Sequence, residues 1–175
     1  YESAKYADVL GFEAEVRKKF DFLKIPVIKD MSVNLNASYI RSQSVITLFD
    51  DQPDSKLRLQ GASPYLINAA IYYENLQHGT LVSAIYNLTW DRLRDYSNDD
   101  DIGNLVEARR QQLDLVFKQR ITGFLTLKIG VQDVLNQRQR FYRDQNGNNE
   151  FDPGINNALP IDESGAQYRG ECSEQ

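Results

Sequence analysis

Apolar side chains recur at every second position in one segment of this chain after another, and no long stretch fits a period of 3.6 better. Successive side chains of a strand point to opposite faces. A chain patterned this way folds as strands with one dry and one wet side, and the expectation is an all-β protein. Phe12, Ala14 and Val16 alternate with Glu13, Glu15 and Arg17, while Met31, Val33, Leu35, Ala37 and Tyr39 alternate with Ser32, Asn34, Asn36 and Ser38. The rule continues through Tyr65, Ile67, Ala69, Ile71 and Tyr73, then through Val82, Ala84, Tyr86, Leu88 and Trp90. Leu113, Leu115 and Phe117, followed by Leu125, Leu127, Ile129 and Val131, complete six expected strands.

The connections alternate in length. Those around 23–29, 75–79 and 119–123 are short, whereas 46–62, 91–104 and 137–168 are long, polar and rich in Asp, Asn, Gln and Gly. Strands joined in this way form an antiparallel meander with tight turns at one end and long loops at the other. Structureless loops of that length are uncommon inside a compact soluble domain. Short periplasmic turns and long extracellular loops are the rule in outer-membrane barrels.

Aromatic placement points the same way. The apolar series of the third strand begins at Tyr65 and ends at Tyr73, a span of roughly 26 Å at strand rise and about 20 Å of height at a barrel tilt. Tyr39 and Trp90 fall at the long-loop ends of their strands, Phe20 and Phe117 at the short-turn ends. Amphipathic rings favour each membrane interface, and Lys18, on the apolar side between Val16 and Phe20, can snorkel at the turn-side rim. The expected fold is therefore an antiparallel transmembrane β-barrel with its strands in meander order. A soluble sandwich or lipocalin-like barrel would show the same alternation and stands as the alternative.

Composition removes several function classes. A net charge of −5 and a pI near 4.9 offer no general attraction to phosphate backbones, so nucleic acid is not an expected partner. The single cysteine, Cys172, excludes an intrachain disulfide framework, and the single histidine, His78, removes most histidine-based metal and catalytic schemes. No apolar run approaches the roughly 20 residues of a membrane helix, and Tyr1-Glu2-Ser3-Ala4-Lys5 opens no signal-peptide core. The low mean hydropathy of −0.54 is compatible with a membrane barrel, which turns only alternate residues toward lipid.

The run Leu59-Gln60-Gly61-Ala62-Ser63-Pro64-Tyr65-Leu66-Ile67-Asn68-Ala69 resembles the "L-Q-G-x-S-P-Y-L-(I/L)-N-A" segment of TonB-dependent outer-membrane receptors, particularly the Bacteroidetes type. Gly11-Phe12-Glu13-Ala14-Glu15-Val16-Arg17-Lys18 is similar to their "G-(F/V)-E-x-E-x-R-K" strand, and Asn36-Ala37-Ser38-Tyr39-Ile40-Arg41-Ser42 to the following "N-Y-(T/S)-Y-I-x-S" strand. Gln112-Leu113-Asp114-Leu115 and Gly130-Val131-Gln132-Asp133-Val134-Leu135-Asn136-Gln137 resemble the last complete hairpin, so the likeness runs in order from about residue 3 to about residue 145. It is to the C-terminal part of a larger protein, a 22-stranded barrel with a plug, and it implies that this chain is a fragment, a partial barrel of about six strands of the larger one in meander order. The family closes on a strand that commonly ends with an aromatic residue, whereas this chain reads Gln167-Tyr168-Arg169-Gly170-Glu171-Cys172-Ser173-Glu174-Gln175.

On that resemblance, residues 1–136 are consecutive barrel strands with short periplasmic turns and long extracellular loops. Residues 137–175 are a long extracellular loop with an incomplete or missing closing strand. The implied location is the bacterial outer membrane. The implied partners are outer-membrane lipid, the rest of the barrel with its plug, and TonB through an N-terminal part that is not in this sequence. The implied function is import of a scarce ligand, such as an iron-siderophore, vitamin or oligosaccharide, with Asn34, Asn36, Ser38, Asn68, Ser83, Asn87 and Asp114 toward the plug. The competing function is a soluble small-ligand-binding or calcium-stabilised adhesion module.

Few residues suggest chemistry. Asp144, Asn146, Asn148, Glu150 and Asp152 put oxygen ligands at alternate positions, a spacing that would wrap a calcium ion. It departs from the EF-hand in its glycine position and lacks the twelfth-position glutamate, and a solvated Asn/Gly turn accounts for the same residues. Asp99-Asp100-Asp101 with Asp95, and Asp50-Asp51, read as solvated loop charges, with cation binding or repulsion of anionic ligands at the extracellular mouth as the other reading. Glu13 and Glu15 look like a carboxylate pair, but alternation with Arg17 reads as a lumen charge network. His78 reads as a turn residue and Cys172 as a free thiol; no phosphate loop, nucleophile elbow or histidine pair occurs, and no enzyme is expected.

Overall fold

Alternating sequences of this kind satisfy their backbone groups only by pairing with neighbours, and the computed structural model pairs them in chain order. It describes residues 6–46, 55–97 and 103–144. The strands are β1 (Tyr6–Lys19), β2 (Met31–Ile46), β3 (Ser55–Leu57), β4 (Tyr65–Asn75), β5 (Thr80–Thr89), β6 (Arg92–Asp95), β7 (Asn104–Glu107), β8 (Arg110–Arg120), β9 (Thr126–Val131) and β10 (Phe141–Asp144). The main sheet runs β1-β2-β4-β5-β8-β9, all antiparallel, with β3 pairing the far end of β2. The all-β, antiparallel expectation and the six alternating segments therefore stand. Among the described residues the sheet is open, ending at β1 on one side and β9 on the other.

Three short connections sit at one end. The first, from Phe20 to Asp30, holds two single 3₁₀ turns and is closed by the Phe20 N–H donating to the Met31 carbonyl at 3.0 Å. In the second, the Asn75 side chain accepts from the His78 N–H at 3.0 Å and Gly79 takes φ 65°, a conformation open to glycine. A Cβ on Gly79 would lie 2.6 Å from the Arg120 Cβ of the adjoining strand. Gly79→Ala is therefore expected to destabilise the folded protein by more than about 1 kcal/mol, read as a lower midpoint in urea unfolding; an unchanged midpoint would refute this account of the turn. In the third, the Thr122 hydroxyl accepts from the Leu125 N–H at 3.2 Å.

The opposite end departs from the expectation of plain loops. β6 from the connection expected at 91–104, β7 starting at its last residue, and β10 from the connection expected at 137–168 form a separate three-stranded antiparallel sheet in the order β10-β7-β6. Leu93, Val106 and Tyr142 are wholly buried there against one another, with Tyr96 and Ala108 packed around them. Strands of four residues offer too few positions for a period of two to register in sequence. Their pairing is decided by one apolar side chain from each.

Candidate functional site

The register sorts the main sheet into two unlike faces. Directly opposed residues share a face, so the ladder Val16, Leu35, Ala69, Tyr86, Leu113 crosses five strands, and Ile71, Ala84, Leu115, Val131 continues beside it to β9. Unlike the interior of a sandwich, this apolar face is open: Phe12 is 70% exposed, Ile71 50% and Ile129 53%. None of the residues in these two ladders is buried; the buried apolar residues of the described chain are Val45, Ala70, Leu93, Val106 and Tyr142.

Aromatic rings bound this face at the long-loop end. Tyr39 and Tyr65 lie 5.3 Å apart between centroids, and Tyr65 meets Trp90 edge-on at 5.8 Å, forming a row across β2, β4 and the end of β5. The Arg109 guanidinium lies 5.2 Å from the Trp90 ring centre. At the short-turn end Phe20 and Phe22 are 6.4 Å apart, and the Lys18 ammonium sits 4.8 Å from the Phe22 ring centre. Each residue expected from its spacing to mark one end of the apolar band is found at that end.

On the other face, Glu15, Asn36, Asn68, Asn87 and Gln112 stand in direct register across five strands. Asn34, Ser38, Ser83 and Asp114 share that face, as expected. The Asn36 amide donates to Glu13, and Arg17 pairs with Glu15 at 2.5 Å while both remain well exposed. Each acid is thus engaged by an amide or a guanidinium of the same face, the charge network read from the alternation. Asp114 accepts from the Asp133 N–H at 2.8 Å, fastening the chain beyond β9 to β8.

The loop end holds a polar cluster that no spacing in the sequence announces. Buried Glu107 accepts two hydrogen bonds from Arg92, at 2.9 and 3.1 Å, and one from the Gln139 amide at 2.9 Å. Arg110 pairs with Asp133 at 2.7 Å, and the Tyr142 hydroxyl donates to Asp91 at 3.3 Å. These partners lie 15 to 51 residues apart in the chain. Between them is a cavity of about 190 Å³ lined by Trp90, Arg92, Glu107, Arg110, Gln112 and Gln139. Its two guanidiniums are each offset by a carboxylate, Glu107 for Arg92 and Asp133 for Arg110, leaving a nearly neutral polar pocket.

Asp144 ends β10 and is buried at 2% exposure, whereas Asn146, Asn148, Glu150 and Asp152 lie outside the described residues. Asp50, Asp51, the Asp99–Asp101 run and Cys172 lie outside them as well. His78 is exposed in its turn, its carbonyl accepting from Gln119 at 2.8 Å. Among the described residues, no group of three or more His, Cys, Asp or Glu side chains could hold a metal ion. No helix of the described chain is long and apolar enough to cross a membrane, which says nothing of a β-barrel. No family model matches this chain, and neither a search of curated proteins nor one of solved structures finds a significant match.

Proposed function

We propose that this chain is a stretch of barrel wall from a TonB-dependent outer-membrane receptor, six consecutive strands that help to import a scarce ligand. The observation that carries the reading is the open apolar face, continuous from Phe12 on β1 to Ile129 on β9 and backed by the amide row on the reverse. In water such a face costs free energy in proportion to its area; against lipid tails it costs nothing, and backbone groups paired within the sheet meet the second demand of a bilayer. The free edges at β1 and β9 are where the remaining strands would join, since a spanning sheet must close. The amide face lines the lumen against the plug, and the small sheet with its polar pocket lies at the extracellular mouth. The work of the protein is passage of a ligand rather than making or breaking of bonds.

An antibody to the loop 141–154 tests this on fractionated source cells. The expected result is an outer-membrane band far larger than 20.1 kDa that shifts on boiling, as a barrel resistant to detergent does. A soluble band near 20.1 kDa, indifferent to boiling, would reject the reading and favour the soluble binding module.

A further inference from the structure

We propose that the connection from Phe20 to Asp30 is an anchor that lies among the headgroups of an anionic phospholipid leaflet. The proposal rests on the barrel reading above, which puts this end of the sheet at a membrane interface. The connection is longer than its two neighbours, eleven residues against four between Asn75 and Thr80 and five between Arg120 and Thr126. A hairpin needs only two to five. The extra length displays apolar side chains: Phe22 is 58% exposed, Ile25 47% and Val27 59%. The next turns along the same end add Leu76 and Phe124, the latter 92% exposed.

Charge names the occupant. The chain as a whole is acidic, with a net charge of −5, yet 18–31, 74–80 and 118–128 together hold seven lysines and arginines against three acids. Lys18, Lys24 and Lys29 are exposed beside the apolar residues, Lys18 lying over the Phe22 ring, while Asp30 is partly covered and accepts a hydrogen bond from the Asn75 amide at 3.4 Å. Exposed apolar residues interleaved with lysines are the composition of an interfacial segment on anionic lipid, where each lysine strengthens the attraction. A purely apolar protein partner would leave these ammonium groups without counter-charge.

The backbone adds a further sign. Val27 holds φ 72° and ψ −52°, a region where a β-branched residue is strained and glycine is not. In water the exposed valine side chain recovers nothing for that strain. Within the headgroup layer it would be buried.

The test uses the full-length parent, with Cys172 and any other cysteine replaced by serine and a nitroxide placed at Ile25→Cys. The parent is reconstituted in vesicles of phosphatidylcholine alone or of phosphatidylcholine with phosphatidylglycerol. Collision with oxygen and with a water-soluble nickel chelate reports lipid immersion. The expected result is immersion favoured by phosphatidylglycerol, with the ratio of immersed to exposed probe falling about fivefold for Lys24→Gln and again for Lys29→Gln. A probe that stays water-exposed in both vesicles, one immersed equally in both and indifferent to the lysine changes, or one shielded from both collision partners by protein would each overturn the proposal. Heat-shifting of the same samples separates these outcomes from failure of the barrel reading, in which case the band does not shift and the anchor falls with it.

Discussion

Ala69→Arg and Ile129→Arg are each expected to abolish assembly of the parent barrel in the outer membrane, while Asn68→Ala assembles normally. Ala69 stands between Leu35 and Tyr86 in the middle of the apolar ladder, and Ile129 stands opposite Phe117. Arginine at such positions costs about 2 to 4 kcal/mol near mid-bilayer, a large part of the stability of most folded domains. Asn68 is one residue away on the reverse face, in register with Asn36 and Asn87, so its truncation removes an amide from that face and leaves the apolar face intact. The measurement is the heat-shifted fraction in outer membranes. Normal assembly of both arginine variants would show that the apolar face does not meet lipid. A soluble sandwich would also lose stability from Ala69→Arg, but it would lose it in the soluble fraction, so the same gel separates the readings.

The second large effect is local. Leu93→Ala should unfold the small sheet at the long-loop end while the main sheet persists. Leu93 and Val106 have no exposed surface, and their neighbour Tyr142 is almost as completely enclosed. Truncating a buried leucine costs about 2 to 5 kcal/mol. With a core of three buried side chains and only Tyr96 and Ala108 packed around them, little apolar contact remains to absorb the loss. Hydrogen exchange should show the amides of 104–107 and 141–144 losing protection while those of 66–73 and 82–89 keep theirs. The Arg92–Glu107 pair and the cavity beside it would be lost together, because both depend on β6 and β7 holding their register. Unchanged protection of 104–107 in the variant would mean that something other than this cluster holds the small sheet.

Much of the main sheet was legible from the chain because a period of two is a local property. Each residue's face follows from its neighbours two positions away, and a slip of one residue would carry every apolar side chain to the wet side. Hence the six strands, their order and the common face of Val16, Leu35, Ala69, Tyr86 and Leu113 could be expected from the chain alone, and the three short turns at one end force their flanking strands to be antiparallel neighbours. The aromatic ends of the apolar band were legible for the same reason, since Tyr39 and Trp90 each close a periodic series and Tyr65 opens one.

The small sheet and its polar pocket were not legible. Four-residue strands carry no usable period, and Leu93 stands alone among polar residues while Leu105-Val106 and Phe141-Tyr142 are adjacent apolar pairs that do not alternate. Glu107 meets Arg92 and Gln139 only because strands distant in sequence converge at one end of the main sheet. The extent of β1 and β2, which run on to Tyr6 and Ile46 past the last clean alternation, was likewise set by pairing with each other rather than by side-chain pattern. The sequence by itself determined which residues alternate, and therefore the all-β class, the strand order and the two faces of the sheet. Only the tertiary structure decided which loop residues meet and which charges neutralise one another, because those contacts depend on long-range closure, for which local periodicity carries no information.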